Sequence, residues 1–174
     1  MFEISRDTIL TTERHAKFLR TPSTKYSIRL GLDRTLSLTK FMVAARDFVA
    51  NPENKALGLA GPQVGSKIAW FVMNCVDGST RIIVNPVIIG RSGHKQYSEG
   101  CFSEPDCDER VKRSRSIVVS FKEVVPDVDG TAWLTKQETL EGRDAQVFQH
   151  EEEHLRGVLI CDKRQTKNKA KNWF

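Results

Sequence analysis

No apolar run in this 174-residue chain approaches the roughly 20 residues a helix needs to cross a bilayer, so a membrane is not an expected partner. The opening residues Met1-Phe2-Glu3-Ile4-Ser5-Arg6-Asp7 contain no apolar stretch, and acids interrupt the basic residues as far as Arg34. Neither a signal nor a transit peptide is therefore expected, and a cytoplasmic setting follows, whether bacterial, organellar or virus-encoded. Cysteine is sparse: Cys75, Cys101, Cys107 and Cys161 would pair only in an oxidising compartment, so reduced thiols are expected, with one available as a ligand. Most of the chain also lacks net charge. The formal +5 resides in the segment from Arg156 onward, where Arg156, Lys163, Arg164, Lys167, Lys169 and Lys171 face the single acid Asp162. Such a tail suits either transient contact with RNA, as on a ribosome, or plain solvation, and solvation is the favoured reading. DNA is not an expected partner. Repeats are absent, and no low-complexity segment precedes the tail.

The length suits one domain over residues 1–174, with an N-terminal arm over about 1–35 and a basic tail over about 163–174. Ser37 is placed to cap a helix through about Ala50, with Leu38, Phe41, Met42, Ala45, Phe48 and Val49 as its core face. Residues 67–75 and 81–89 read as buried strands joined by a turn at Asp77-Gly78, with Pro86 marking an edge or bulge. Residues 116–123 form another strand, and Asp129-Gly130 signals a hairpin that returns through Trp133. Strands clustered ahead of one late helix give an α+β fold.

Three segments carry chemistry. Gln149-His150-Glu151-Glu152-Glu153-His154-Leu155-Arg156-Gly157 contains the spacing H-E-x-x-H. Two histidines four apart share a helix face and can reach one divalent ion, while Glu151, turned by about 100°, can address a water there. Ala145, Phe148, Glu151 and Leu155 follow an inward rhythm that would bury an acid, which is costly unless a partner meets it. Gly157 is the expected C′ residue. Earlier, the small-residue stretch from Ala56 to Gly65 reads either as close backbone packing or as a loop that approaches a substrate. No Gly-Lys-Ser/Thr follows it, which excludes a phosphate loop. Gln63 is its odd polar residue, and its amide could donate to a developing oxyanion.

Taken with Glu99-Gly100-Cys101-Phe102-Ser103, the segments Gly58-Leu59-Ala60-Gly61-Pro62-Gln63 and Gln149 to Gly157 resemble, in order and separation, the three motifs of peptide deformylases. The resemblance runs from about Leu38 to Asp162, and Asn85-Pro86, Val111 and Arg113 add weaker agreement. It implies antiparallel or mixed β-sheets packed around a central metal-binding α-helix. It further implies hydrolysis of the N-formyl group from the initiator methionine of nascent chains, with N-formylmethionyl peptides as substrates and formate as a product. Cys101, His150 and His154 would hold one divalent ion, Fe2+ as the usual metal with Zn2+, Ni2+ or Co2+ able to occupy the site. Glu151 would be the general base, Gln63 and the Phe102 backbone N–H the oxyanion donors. Gly58 and Gly100 would bind the peptide backbone, and Leu57 and Val147 the methionine side chain.

The chain departs from the family pattern at several positions. Ala56 stands where glycine is usual and is expected to tighten the loop near the substrate; Gly61 replaces alanine, Phe102 replaces leucine, and Glu153 replaces aspartate, with Arg113 as its expected partner. The long C-terminal helix of many members is also not expected. A zincin-type protease would need a histidine or glutamate ligand after His154, and none follows. A non-catalytic nascent-chain or RNA-binding derivative would have no use for Glu151.

Overall fold

In the computed structural model, which describes residues 3–27, 32–127 and 130–163, the short strand β2 (Trp70–Asn74) carries Trp70, Phe71, Val72 and Met73 buried in succession. A strand apolar on both faces needs cover on both. Helix α2 (Leu32–Ala50) covers one face, where Met42, Ala45, Phe48 and Val49 pack with Trp70 and Val72. Helix α3 (Gly142–Leu155) covers the other, where Ala145, Phe148 and Leu155 pack with Phe71 and Met73. The Phe71 and Phe148 rings meet edge to face with centroids 5.0 Å apart.

Around β2 the chain builds an antiparallel five-stranded sheet in the order β1-β2-β3-β6-β7, from β1 (Gly58–Ala60), β3 (Thr80–Ser92), β6 (Ser116–Asp127) and β7 (Gly130–Glu141). A separate two-stranded ribbon pairs β4 (Lys95–Cys101) with β5 (Glu104–Arg113). This is the expected α+β arrangement, with α3 against the sheet. Pro86 sits at a bulge, since the β3–β6 register shifts between Val84 and Val87, just beyond the stretch of β3 that pairs with β2. The turn residue Asp129 falls outside the described residues, as does the tail beyond Lys163.

Two sequence expectations are corrected. Helix α2 starts at Leu32, upstream of Ser37, because nothing between them breaks a helix; Ser37 is exposed within it and caps nothing. Cys107 and Cys161 are joined in a disulfide, while Cys75 and Cys101 are free thiols. The 3₁₀ turn Ile160–Lys163 lies against β5, so Cys107, Val111 and Ile160 share a small apolar cluster that brings the sulfurs together. Composition cannot reveal that approach across 54 residues of sequence.

The N-terminal arm has a definite structural task. It contains α1 (Thr12–Leu19), and its backbone touches all three motif segments. The N–H of Leu10 donates to the Gln63 carbonyl at 2.7 Å, that of Thr12 to Ser103 at 2.9 Å, and that of Ser23 to Leu155 at 2.8 Å. Asn85, at positive φ beside Pro86, clasps Tyr26 by accepting its N–H and donating to its carbonyl.

Helix α3 ends as the sequence anticipates. The Val158 N–H reaches the Glu153 carbonyl and the Gly157 N–H that of His154, a Schellman closure with Gly157 at φ 74°. A Cβ at Gly157 would come within 2.6 Å of the Arg20 carbonyl carbon. Gly157→Ala is therefore expected to destabilise the fold by more than about 1 kcal/mol, read as a lower midpoint in denaturant unfolding; an unchanged midpoint would contradict this packing.

Candidate metal centre

The inward rhythm of α3 places Glu151 and His154 under the sheet, 4% and 2% exposed. Cys101 arrives at the end of β4, where the β4–β5 register slips between Glu99 and Cys101. Its Sγ lies 3.3 Å from His154 Nε2, and the donor atoms of Cys101, His150 and His154 all fall within 4.8 Å of one another. Burial, with the His150 ring beside it, pushes His154 well below its ordinary pKa, whereas at His150 burial is outweighed by the Cys101 sulfur and Glu99, which push the ring well above its own.

Around these donors runs a buried ionic frame. Arg113, 2% exposed, donates through Nε to Glu99 Oε1 at 2.9 Å and through Nη2 to Oε2 at 2.6 Å. Its Nη1 lies 2.6 Å from Glu153 Oε2, so the expected Arg113–Glu153 contact is present; Lys163 also meets Glu153. Glu99 Oε2 in turn lies 3.1 Å from His150 Nδ1, orienting that ring so that Nε2 is left for a ligand. Burial disfavours the Glu99 charge, but Arg113 and the His150 ring outweigh it and hold the carboxyl at about 2. Glu99 was legible only as part of a motif; its position between an arginine and a histidine required the ribbon geometry. Gln149, buried beside them, bonds both the N–H and the carbonyl of Ser114 and so docks α3 on the end of β5.

Glu151 is different. Burial pushes its carboxyl up to about 7, and its Oε2 has no hydrogen-bond partner among the described residues. Gly58 passes so close that a Cβ there would lie 2.7 Å from the Glu151 carboxyl carbon. Gln63 accepts the Ala60 N–H at 2.8 Å through Oε1, which turns Nε2 toward Ser103 Oγ at 3.2 Å and Cys101 Sγ at 3.6 Å. A cleft of about 640 Å³ opens over the group. Leu57, Gly58, Gln63, Gly100, Cys101, Phe102, Val147, His150 and Glu151 all line it, with His154 behind them. Arg6 also lines the cleft and lies over the Phe102 ring at 5.4 Å, a contribution of the arm that carried no sequence signal. Ala56 does not: it is buried with Leu59 in the core under α2, so its methyl fills that core and does not tighten the substrate side.

One thiol, two imidazoles and a partnerless buried carboxylate oxygen fit a divalent cation with one coordination position left for water. The sequence profile of the polypeptide deformylase family matches residues 9–170. The chain belongs to that family. It is 39% identical to peptide deformylase 1 of Clostridium perfringens over 111 residues, 63% of this chain and 71% of that protein. The matched stretch spans between 57% and 73% of the length of such curated relatives. The crystal structure of peptide deformylase from Thermotoga maritima superimposes with a TM-score of 0.75 at 28% identity, covering 95% of this chain and 99% of that one. That of a probable peptide deformylase from synechococcus phage S-SSM7 does so with a TM-score of 0.68 at 30% identity, covering 89% and 97%. The family removes the N-formyl group from nascent polypeptides by metal-dependent hydrolysis, and the binding-module and zincin readings find no support.

The ionic frame makes two measurable demands on this chain. Replacing Arg113 with methionine strands Glu99 and Glu153 and is expected to cost about 3–5 kcal/mol in unfolding free energy; a double-mutant cycle with Glu153→Gln should show coupling, and its absence would contradict the contact. Because Glu99 is depressed from an ordinary 4.5 to about 2, its contribution is full above pH 4.5 and drains as pH falls toward 2. The denaturation midpoint should fall across that window, and less steeply in Glu99→Gln.

Proposed function

We propose that this chain carries out its family's reaction on N-formylmethionyl peptides at one divalent ion held by Cys101 Sγ and the imidazoles of His150 and His154, with Fe2+ as the native metal and Zn2+, Ni2+ or Co2+ able to substitute. The observation that carries the reading is the Glu151 oxygen, without a hydrogen-bond partner among the described residues, beside three convergent donors within 4.8 Å of one another. When bound, the cation supplies Lewis-acid polarisation and acidifies water toward a pKa of about 7. Glu151 takes the proton of the attacking water and returns it to the amine as the formamide C–N bond breaks and formate departs. A carboxyl that burial places at about 7 can hold a proton and release it near neutrality.

The other residues bind and orient. With Oε1 pinned by the Ala60 N–H, Gln63 presents Nε2 to the oxygen that gains charge, alongside the Phe102 backbone N–H. β1 is an edge strand, so its open side near Gly58, facing Gly100 across the cleft, can take the peptide as an added strand. Leu57, 46% exposed, and Val147 receive the methionine side chain. Gly58 is required because any side chain there would displace Glu151. No helix among the described residues is long and apolar enough to cross a membrane, and the proposed setting is cytoplasmic. In this reading residues 1–174 act as one domain, and the charge of the basic tail suits plain solvation first and transient contact with the ribosome second.

Protein purified with iron under anaerobic conditions should release formate from a formyl-Met peptide and leave an unblocked peptide intact. Glu151→Ala should abolish release while retaining the metal, and Gln63→Ala should lower kcat by about 10²–10³. Cleavage of internal peptide bonds, or full activity in Glu151→Ala, would refute the assignment.

A further inference from the structure

A second group of metal-ligand chemistry lies outside the deformylase centre. The Glu104 carboxylate and the sulfurs of Cys107 and Cys161 have donor atoms all within 4.8 Å of one another. Glu104 and Cys107 are buried and Cys161 is half-buried. Glu104 Oε2 accepts the Cys161 N–H at 3.0 Å, which holds the carboxylate beside Cys161. A cavity of about 190 Å³, bordered also by Thr11, Thr12, Glu13 and Asp106, gives solvent and small ions access to the three donors.

We propose that Glu104, Cys107 and Cys161 form a redox-gated site for a soft divalent cation such as Zn2+. The disulfide is its closed state: a disulfide sulfur carries no charge and is a poor ligand, whereas two thiolates and a carboxylate select a soft or borderline cation over calcium or magnesium. Opening takes two electrons and two protons from a dithiol, which is itself oxidised to a disulfide, and leaves Cys107 and Cys161 as thiols. The cation then displaces both thiol protons and accepts two sulfurs and one carboxylate oxygen, with water from the cavity completing a tetrahedron. A tetrahedral zinc holds two sulfurs about 3.8 Å apart, a spacing that Cα atoms 6.1 Å apart reach by side-chain rotation. Either state ties β5 to the turn that follows α3, the two elements next to the proposed catalytic donors. Only the reduced, metal-free chain lacks the tie.

The test counts Zn2+ bound per chain in untagged protein after chelation. The reduced chain should bind two equivalents and the disulfide-closed chain one. Cys161→Ser should bind one under both conditions while retaining formate release. Glu104→Gln, which keeps the shape of the site, should bind the second equivalent at least tenfold more weakly, and Zn2+ should protect two thiols in the reduced wild type from alkylation only while that equivalent is bound. One equivalent in the reduced wild type, two in the oxidised chain, or a second equivalent that survives Cys161→Ser would overturn the proposal. The deformylase assignment stands or falls separately, because its own equivalent is lost in Cys101→Ser and kept in Cys161→Ser.

Discussion

The Arg113 guanidinium sits 2% exposed between two carboxylates, and the geometry of the site depends on that burial. An arginine taken out of water is tolerated only when its donors are matched, and the bidentate pair with Glu99 does so while the opposite edge meets Glu153. The frame therefore links three places: β5, which carries Arg113; β4, which carries Glu99 and Cys101; and α3, which carries His150, Glu153 and His154. Such a buried ion group adds little net stability because desolvation offsets attraction. What it supplies is fixed position, since moving any one of the three would leave a buried charge unpaired. His150 inherits that rigidity through Glu99, and Cys101 through its place two residues beyond Glu99 on the same strand.

Within the frame, neighbouring acids are driven in opposite directions. Glu99 is held ionised by a guanidinium and an imidazole, whereas Glu151, the residue after His150 on α3, is buried and has no partner for Oε2 among the described residues. The contrast separates a carboxylate that orients from one that can trade a proton. Gly58 completes it by letting β1 run directly against Glu151, which no other residue type would permit.

The sequence made α3 legible because its signals agree: an inward rhythm through Ala145, Phe148, Glu151 and Leu155, histidines four apart, and a glycine that closes the helix. The strands around Trp70 and Ile83 were legible for the same reason, as apolar runs bounded by turn residues. Long-range contacts between polar side chains were not. Glu99 reads as one more charge in a polar ribbon until β4 and β5 pair and set it beside Arg113. The disulfide likewise depends on a 3₁₀ turn folding back across β5, and no local pattern at Cys107 or Cys161 encodes that return. The arm was opaque because its attachment is by backbone: Leu10, Thr12 and Ser23 use N–H groups that every such residue possesses. Ala56 misled through its neighbours, since a small residue in a glycine-rich loop suggests a substrate face, whereas its methyl completes the α2 core.

Convergence of one sulfur and two imidazoles on a single ion is tested most directly by X-ray absorption at the metal edge. Disulfide-closed protein loaded with one equivalent isolates the Cys101, His150 and His154 donors. One sulfur at about 2.3 Å and two nitrogens at about 2.0–2.1 Å are expected for zinc, with the sulfur scattering lost in Cys101→Ser. A shell of nitrogen and oxygen alone in the wild type, or a sulfur signal that survives that substitution, would contradict the assignment.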